Sequence, residues 1–223
     1  MEKQAINNLM NGLKGAADLN LSCYHFECFL TCGEREAEYL SIASLSGCEN
    51  ITEHASKYSC FLLAVKRMMD GEAAARKGLH LLEPGETAVD AKPHAKSRSK
   101  AVKLTAKGRI LFASVDDVPT MKRALRSAMA YSVASTNQLY WFLFFMLNEG
   151  DDLMSLMKLH CKVEPGTALY KRASHTLRKL RVGYRKKDGL HLFSFGNQKS
   201  IHLTGKGLEL KYRLERVTAF PAL

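Results

Sequence analysis

The sequence predicts a mainly α-helical chain with small β wings, built as two copies of one unit. Gly78-Leu79-His80-Leu81 followed by Leu104-Thr105-Ala106-Lys107-Gly108 returns as Gly189-Leu190-His191-Leu192 followed by Leu203-Thr204-Gly205-Lys206-Gly207. Each copy stands behind a basic, helix-patterned stretch, residues 64–69 in the first and 175–180 in the second. The copies start at residues 78 and 189, too far apart for a solenoid repeat of about 20–50 residues, so the repeated unit is a whole domain. The order in each unit is helix, helix, basic helix, short strand, charged turn, strand, and a helix opened by Leu-Thr-x-Lys-Gly. That order is a winged helix-turn-helix.

Each element follows from local pattern. Ile6, Leu9, Met10 and Leu13 make a helical stripe that ends at Gly15. Residues 22–31 and 35–45 continue as helices, broken near Gly33 and stopped at Gly47. Residues 52–58 read as a short helix capped by Thr52, followed by a turn near Ser59. Phe61, Leu62, Val65, Met68 and Met69 then form the apolar face of the next helix, the one that enters the major groove in a helix-turn-helix. Residues 79–82 read as a strand, Pro84-Gly85 and Pro93 as breaks, and 101–104 as the return strand of a wing.

Residues 118–147 are expected to be helical, with a break at the small residues 132–136. From Leu139 to Leu147 every side is apolar, which predicts a buried helix packed between the two winged units. Its alternative role is an exposed face for a second protomer or a protein partner. In the second unit, residues 153–161 are the first helix and Pro165 opens the next. There Leu169, Ala173, Leu177 and Leu180 form the apolar stripe, and Tyr170, Lys171, Ser174, His175 and Arg178 face outward. Residues 190–195 form a strand, Gly196-Asn197 the hairpin turn, and 200–203 the return strand. Thr204 opens the final helix, 205–217. The domain division is therefore an N-terminal helix (1–19), a first winged helix (20–115), a helical connector (116–136) and a second winged helix (137–223).

Composition bounds the function. The 223 residues are 46% hydrophobic and 25% charged, ordinary for a globular protein. The net charge of +11 is not ordinary and implies an anionic partner. The longest apolar run, 139–147, is nine residues where a membrane-spanning helix needs about 20. Met1-Glu2-Lys3-Gln4 lacks a basic leader with an apolar stretch behind it, so the expected location is the bacterial cytoplasm, at the nucleoid.

The charge is also concentrated. Residues 92–109 hold seven Lys or Arg and no acid, and residues 171–187 hold eight and no acid. The first window is the wing of unit one, and the second is the recognition helix and wing entry of unit two. Such cations neutralise phosphates and release counterions. Recognition-helix side chains can read base edges in the major groove, and a wing arginine can enter the minor groove. The residues expected to touch double-stranded DNA are Lys57, Lys66, Arg67, Lys92, Lys96, Arg98 and Lys100 in the first unit. In the second they are Thr167, Tyr170, Lys171, Arg172, Ser174, His175, Arg178, Arg185, Lys186, Lys187 and Lys199.

These motifs, in this order and twice, resemble the MarR family of bacterial transcriptional regulators. The resemblance implies a sequence-specific DNA-binding regulator whose wing carries an aspartate and an arginine shortly before the Leu-Thr-x-x-Gly element. Arg98, six residues ahead of Leu104, stands where that arginine would be, whereas Lys96 stands at the aspartate position. In the second unit Asn197 takes the place of Arg98, and Lys199 is the charged residue nearby. MarR-like proteins are usually homodimers of single winged helices. Two copies in one chain imply a pseudo-dimer that meets two half-sites alone.

Other readings compete. Plasmid and phage replication initiators also fuse two winged helices. Winged-helix interaction modules of chromosome-condensation complexes do so too, but those are acidic. No enzyme is expected: His160-Cys161 lacks an orienting carboxylate, and no phosphate-binding loop or HExxH motif occurs. No cofactor or metal is expected. His25, Cys28 and Cys32 share one helix face, but with no basic neighbour to lower a thiol pKa they read as buried small hydrophobes. His80 and His191 recur beside inward-facing leucines, so a structural role or a phosphate contact fits them better than catalysis.

Overall fold

The computed structural model describes residues 2–35, 42–47, 55–69, 78–87, 100–184 and 187–219. In chain order these residues form α1 (Glu2–Asp18), α2 (Cys23–Glu34), α3 (Ile42–Leu45), α4 (Ala55–Met68), β1 (Leu82–Thr87), β2 (Lys100–Leu104), α5 (Ala106–Ala113) and α6 (Val118–Ala130). They continue with α7 (Thr136–Leu147), α8 (Leu153–Leu159), α9 (Ala168–Arg181), β3 (Gly183–Tyr184), β4 (Lys187–Asp188), β5 (Phe193–Phe195), β6 (Ile201–Leu203) and α10 (Gly205–Ala219). The chain is mainly helical, and consecutive strands pair as antiparallel two-stranded ladders: β1 with β2, β3 with β4, β5 with β6.

Two compact units emerge. One is Tyr24–Asp116, and the other joins Met1–Cys23 to Asp117–Leu223. The N-terminal helix and the connector thus both group with the C-terminal part of the chain, and one unit is discontinuous in sequence.

Within Tyr24–Asp116, Phe26, Phe29 and Leu30 of α2 are buried, as are Phe61, Val65 and Met68 of α4 and Val102 and Leu104 of β2. The turn expected near Ser59 does not exist, because α4 runs through it without interruption. Phe61, Ala64, Val65 and Met68 recur at helical spacing and are all buried, which outweighs the weak breaking tendency of one serine. Strand β1 contains Pro84 and Gly85, expected as a break, and accommodates them with a register shift between Pro84 and Thr87.

In the discontinuous unit α7 is the central element, packed against α1, α6, α9 and β6. Leu139, Phe142, Leu143 and Phe145 are fully buried, so the apolar run is the core of this one unit. Phe193 of β5 lies against Phe142 and Phe145, with ring centroids 5.3 and 6.0 Å apart. The start of α7 is fixed twice. Ser135 and Gln138 form a capping box. Thr136, fully buried, donates both its backbone N–H (3.0 Å) and its hydroxyl (2.9 Å) to the carbonyl of Leu21, just past α1. Asp117, Ser135, Asp152 and Thr167 each cap a following helix through a side-chain oxygen. Pro165 lies ahead of α9 rather than opening it, since Thr167 holds the cap position.

The repeated sequence motifs have the same local geometry. The N–H groups of Leu79, His80 and Leu81 donate to the carbonyls of Arg67, Met69 and Met68 at the end of α4 (3.2, 3.1 and 2.7 Å). Those of Leu190, His191 and Leu192 donate to Lys179, Arg181 and Leu180 at the end of α9 (2.9, 2.9 and 2.8 Å). Gly-Leu-His-Leu is therefore a cap on a helix C-terminus, satisfying carbonyls that have no partner within the helix. His80 and His191 adopt φ of 52° and 55°, which breaks the extended backbone. For that reason the strands begin only at Leu82 and Phe193 and not at residues 79 and 190. Leu82 pairs with Leu104, and Phe193 with Leu203.

Candidate nucleic-acid interface

Among the described residues, helix α9 carries a dense run of cations. Its sequence Ala-Leu-Tyr-Lys-Arg-Ala-Ser-His-Thr-Leu-Arg-Lys-Leu-Arg contains no acid. Ala173, Thr176, Leu177 and Leu180 are buried and fix which side faces the core. Leu169, expected on that stripe, is 39% exposed, and Thr176 takes its share of the buried face. Lys171, Arg172, His175, Arg178 and Lys179 are exposed, while Tyr170 and Ser174 are half-buried. Lys171 and Arg178 are seven residues apart, two turns, and so project on one side. Basic residues in the last turn also complement the carbonyl end of the helix.

The other expected residues distribute unevenly. Thr167 is the N-cap of α9: its hydroxyl accepts from the Tyr170 N–H (3.2 Å) and donates to the Glu164 carbonyl (3.0 Å). Lys187 lies in β4, paired with Tyr184, and Lys100 opens β2. Lys199 is exposed in the turn between β5 and β6, at φ 62°. Lys57, Lys66 and Arg67 are exposed on α4, but Lys57 and Lys66 are nine residues apart, two and a half turns, and lie on opposite sides. The structure therefore does not bring the α4 cations onto one face. Lys92, Lys96, Arg98, Arg185 and Lys186 lie outside the described residues.

Two cations that the sequence reading left out belong to the same surface. Lys179 is exposed on α9, and the guanidinium of Arg181 sits 4.1 Å over the Phe195 ring. That contact joins the end of α9 to the β5–β6 hairpin. The i, i+7 spacing of Arg172 and Lys179 was the available signal for the first.

Cys23, Cys28 and Cys32 are buried, and burial pushes the Cys28 thiol up to about 12. A group held that far from its thiolate is protonated at neutral pH. Burial, then the charge of Arg67, lowers the pKa of His25. Among the described residues no cluster of three potential metal ligands occurs, and no helix is long and apolar enough to cross a membrane.

No protein-family model, curated protein or solved structure matches the chain.

Proposed function

We propose that the chain binds double-stranded DNA through two winged helix-turn-helix units and acts as a sequence-specific transcriptional regulator of the bacterial nucleoid, without a catalytic step. The observation that carries this reading is the acid-free exposed face of α9, set on a buried apolar stripe and followed by a hairpin. A helix of this kind fits the major groove, and its cations suit phosphates and base edges. The shared geometry of the two Gly-Leu-His-Leu and Leu-Thr-x-Lys-Gly pairs supports a second unit of the same plan. In the first unit the cations of α4 are spread around the helix, so its expected contribution is anchoring rather than base reading.

The test is a fluorescence-anisotropy titration with random and selected duplexes over a range of salt. Six to ten phosphate contacts give a log K against log salt slope of about −5 to −9. A flat salt response, or no binding to any duplex, removes the reading.

A further inference from the structure

One flank of α9 borders a cavity. Arg172, His175 and Lys179, at i, i+3 and i+7, line a cavity of about 360 Å³ whose other walls come from the end of α1 and the start of α7. Asp18 is the carboxylate in its lining, and it pairs with Arg172 at 3.9 Å with both side chains more than half exposed, a weak tie. Two side-chain amides in the lining have their oxygens committed. Gln138 Oε1 accepts from the backbone N–H groups of Ala134 and Ser135 (3.1 and 3.3 Å). A backbone N–H can only donate, so the Gln138 amide orientation is fixed and its NH2 is what remains to offer. Asn137 Oδ1 accepts from the Thr176 hydroxyl (3.2 Å), leaving its NH2 likewise. The backbone N–H groups of Thr136 and Gln138 are themselves taken, by the Leu21 carbonyl and the Ser135 hydroxyl.

We propose that this cavity binds a small phosphate ester, with Arg172, His175 and Lys179 around the phosphate and Asn137 and Gln138 donating to it or to its polar remainder. A phosphate presents three terminal acceptor oxygens and up to two negative charges, which matches a donor-rich, cationic wall better than a single carboxylate does. The volume falls at the lower end of small-molecule pockets, about 300–1,000 Å³, and exceeds what a bare ion fills. A consequence rests on the DNA-binding reading above: an occupant would engage Arg172 and His175, and so oppose DNA.

Calorimetric titration of the full chain with adenosine 5′-monophosphate and ribose 5-phosphate tests the site without DNA, with adenosine and ribose as neutral counterparts. The expected result is one site for at least one phosphorylated probe and none for the neutral ones. Lys179→Gln should weaken that probe at least tenfold, and the equal charge change Lys158→Gln on α8 should not. Asn137→Asp keeps the oxygen that accepts from Thr176 and replaces only the NH2, so it should also weaken the probe at least tenfold while the melting temperature holds. Failure of both phosphorylated probes to bind overturns the proposal, as does equal weakening by Lys158→Gln. If Lys179→Gln and Asn137→Asp weaken duplex DNA in anisotropy while neither probe binds, the cavity seats the DNA backbone and the small-molecule site is wrong. Probe binding in a chain that binds no duplex leaves the site standing and removes the DNA reading alone.

Discussion

Gly207 lies so close to Leu192 that a Cβ on the glycine would stand 2.1 Å from the Leu192 carbonyl oxygen. Gly108 has the same relationship to the carbonyl of Leu81, also at 2.1 Å. Each of those carbonyls accepts a backbone N–H, from Thr204 and from Thr105, both at 3.1 Å. The last glycine of Leu-Thr-x-Lys-Gly is thus required because a helix must approach the backbone that caps the preceding helix.

Gly207→Ala and Gly108→Ala should each destabilise their unit by about 2–3 kcal/mol, since the obstruction is backbone and cannot swing aside. Gly205→Ala provides the contrast. Nothing lies within 4 Å of its added methyl, so it should stabilise by about 0.5–1 kcal/mol. Urea unfolding of the three variants, followed by circular dichroism, checks the order.

Thr204 uses its hydroxyl twice, donating to the His191 carbonyl (2.6 Å) and accepting from the Gly207 N–H (3.2 Å). Thr204→Val keeps the shape and removes both bonds, and should cost about 1–2 kcal/mol, whereas Thr204→Ser should cost a fraction of that. Thr105, with equivalent bonds at 2.7 and 3.0 Å, should behave alike. A valine variant as stable as the serine variant in denaturant titration contradicts this account.

Asp152 caps α8, accepting from the Ser155 hydroxyl (2.6 Å) and from the backbone N–H groups of Ser155 (3.1 Å) and Met154 (2.8 Å). The Ser155 bonds lead in holding its carboxyl below the ordinary value. A depressed folded-state pKa means that the stabilisation is complete above the unfolded-state value, near 4, and fades as pH falls through the folded-state one. Asp152→Ala should cost about 1 kcal/mol at pH 7 and progressively less below pH 4. Proton titration of Asp152 by NMR, together with stability at pH 7 and pH 3, measures both.

Arg178 projects from the exposed face of α9 beside Lys171. Arg178→Ala should relax sequence choice and cost about 1–3 kcal/mol at one base pair. Arg98→Ala, in the first basic window, should instead weaken binding to A·T-rich flanks, because a minor-groove arginine senses groove width. Selection of preferred sites from random DNA separates the two: a core motif changed by Arg98→Ala and left intact by Arg178→Ala reverses these roles.

Much of the architecture was legible in the chain because it depends on spacing. The apolar run 139–147, the break at 132–136 and the return strands ending at Leu104 and Leu203 could each be read from local pattern. The missed features depend on bonds between distant positions. Alternation of Leu79 and Leu81 suggests a strand, yet the N–H groups of that stretch go to α4 carbonyls, and His80 turns to positive φ. At Ser59 the expectation of a helix-turn-helix outweighed a continuous apolar stripe that pointed to one helix. The cations of α9 were visible in sequence. The cavity on its flank was not, because residues 18, 137–138 and 172–179 meet only once α1, α7 and α9 have packed.

The pairing of α1 with α7 also sets a timetable for synthesis. Helix α1 is made before α7, with Ile6, Leu9 and Leu13 destined for burial, and α7 follows more than a hundred residues later. At about 5–20 residues per second, that interval is roughly 6–25 s. The segment Tyr24–Asp116 is completed in the meantime, so the inserted unit has the opportunity to fold before the unit that encloses it in sequence. During those seconds the apolar stripe of α1 is open to chaperones, and a synonymous change that slows translation between the two helices would lengthen the exposure without altering any residue.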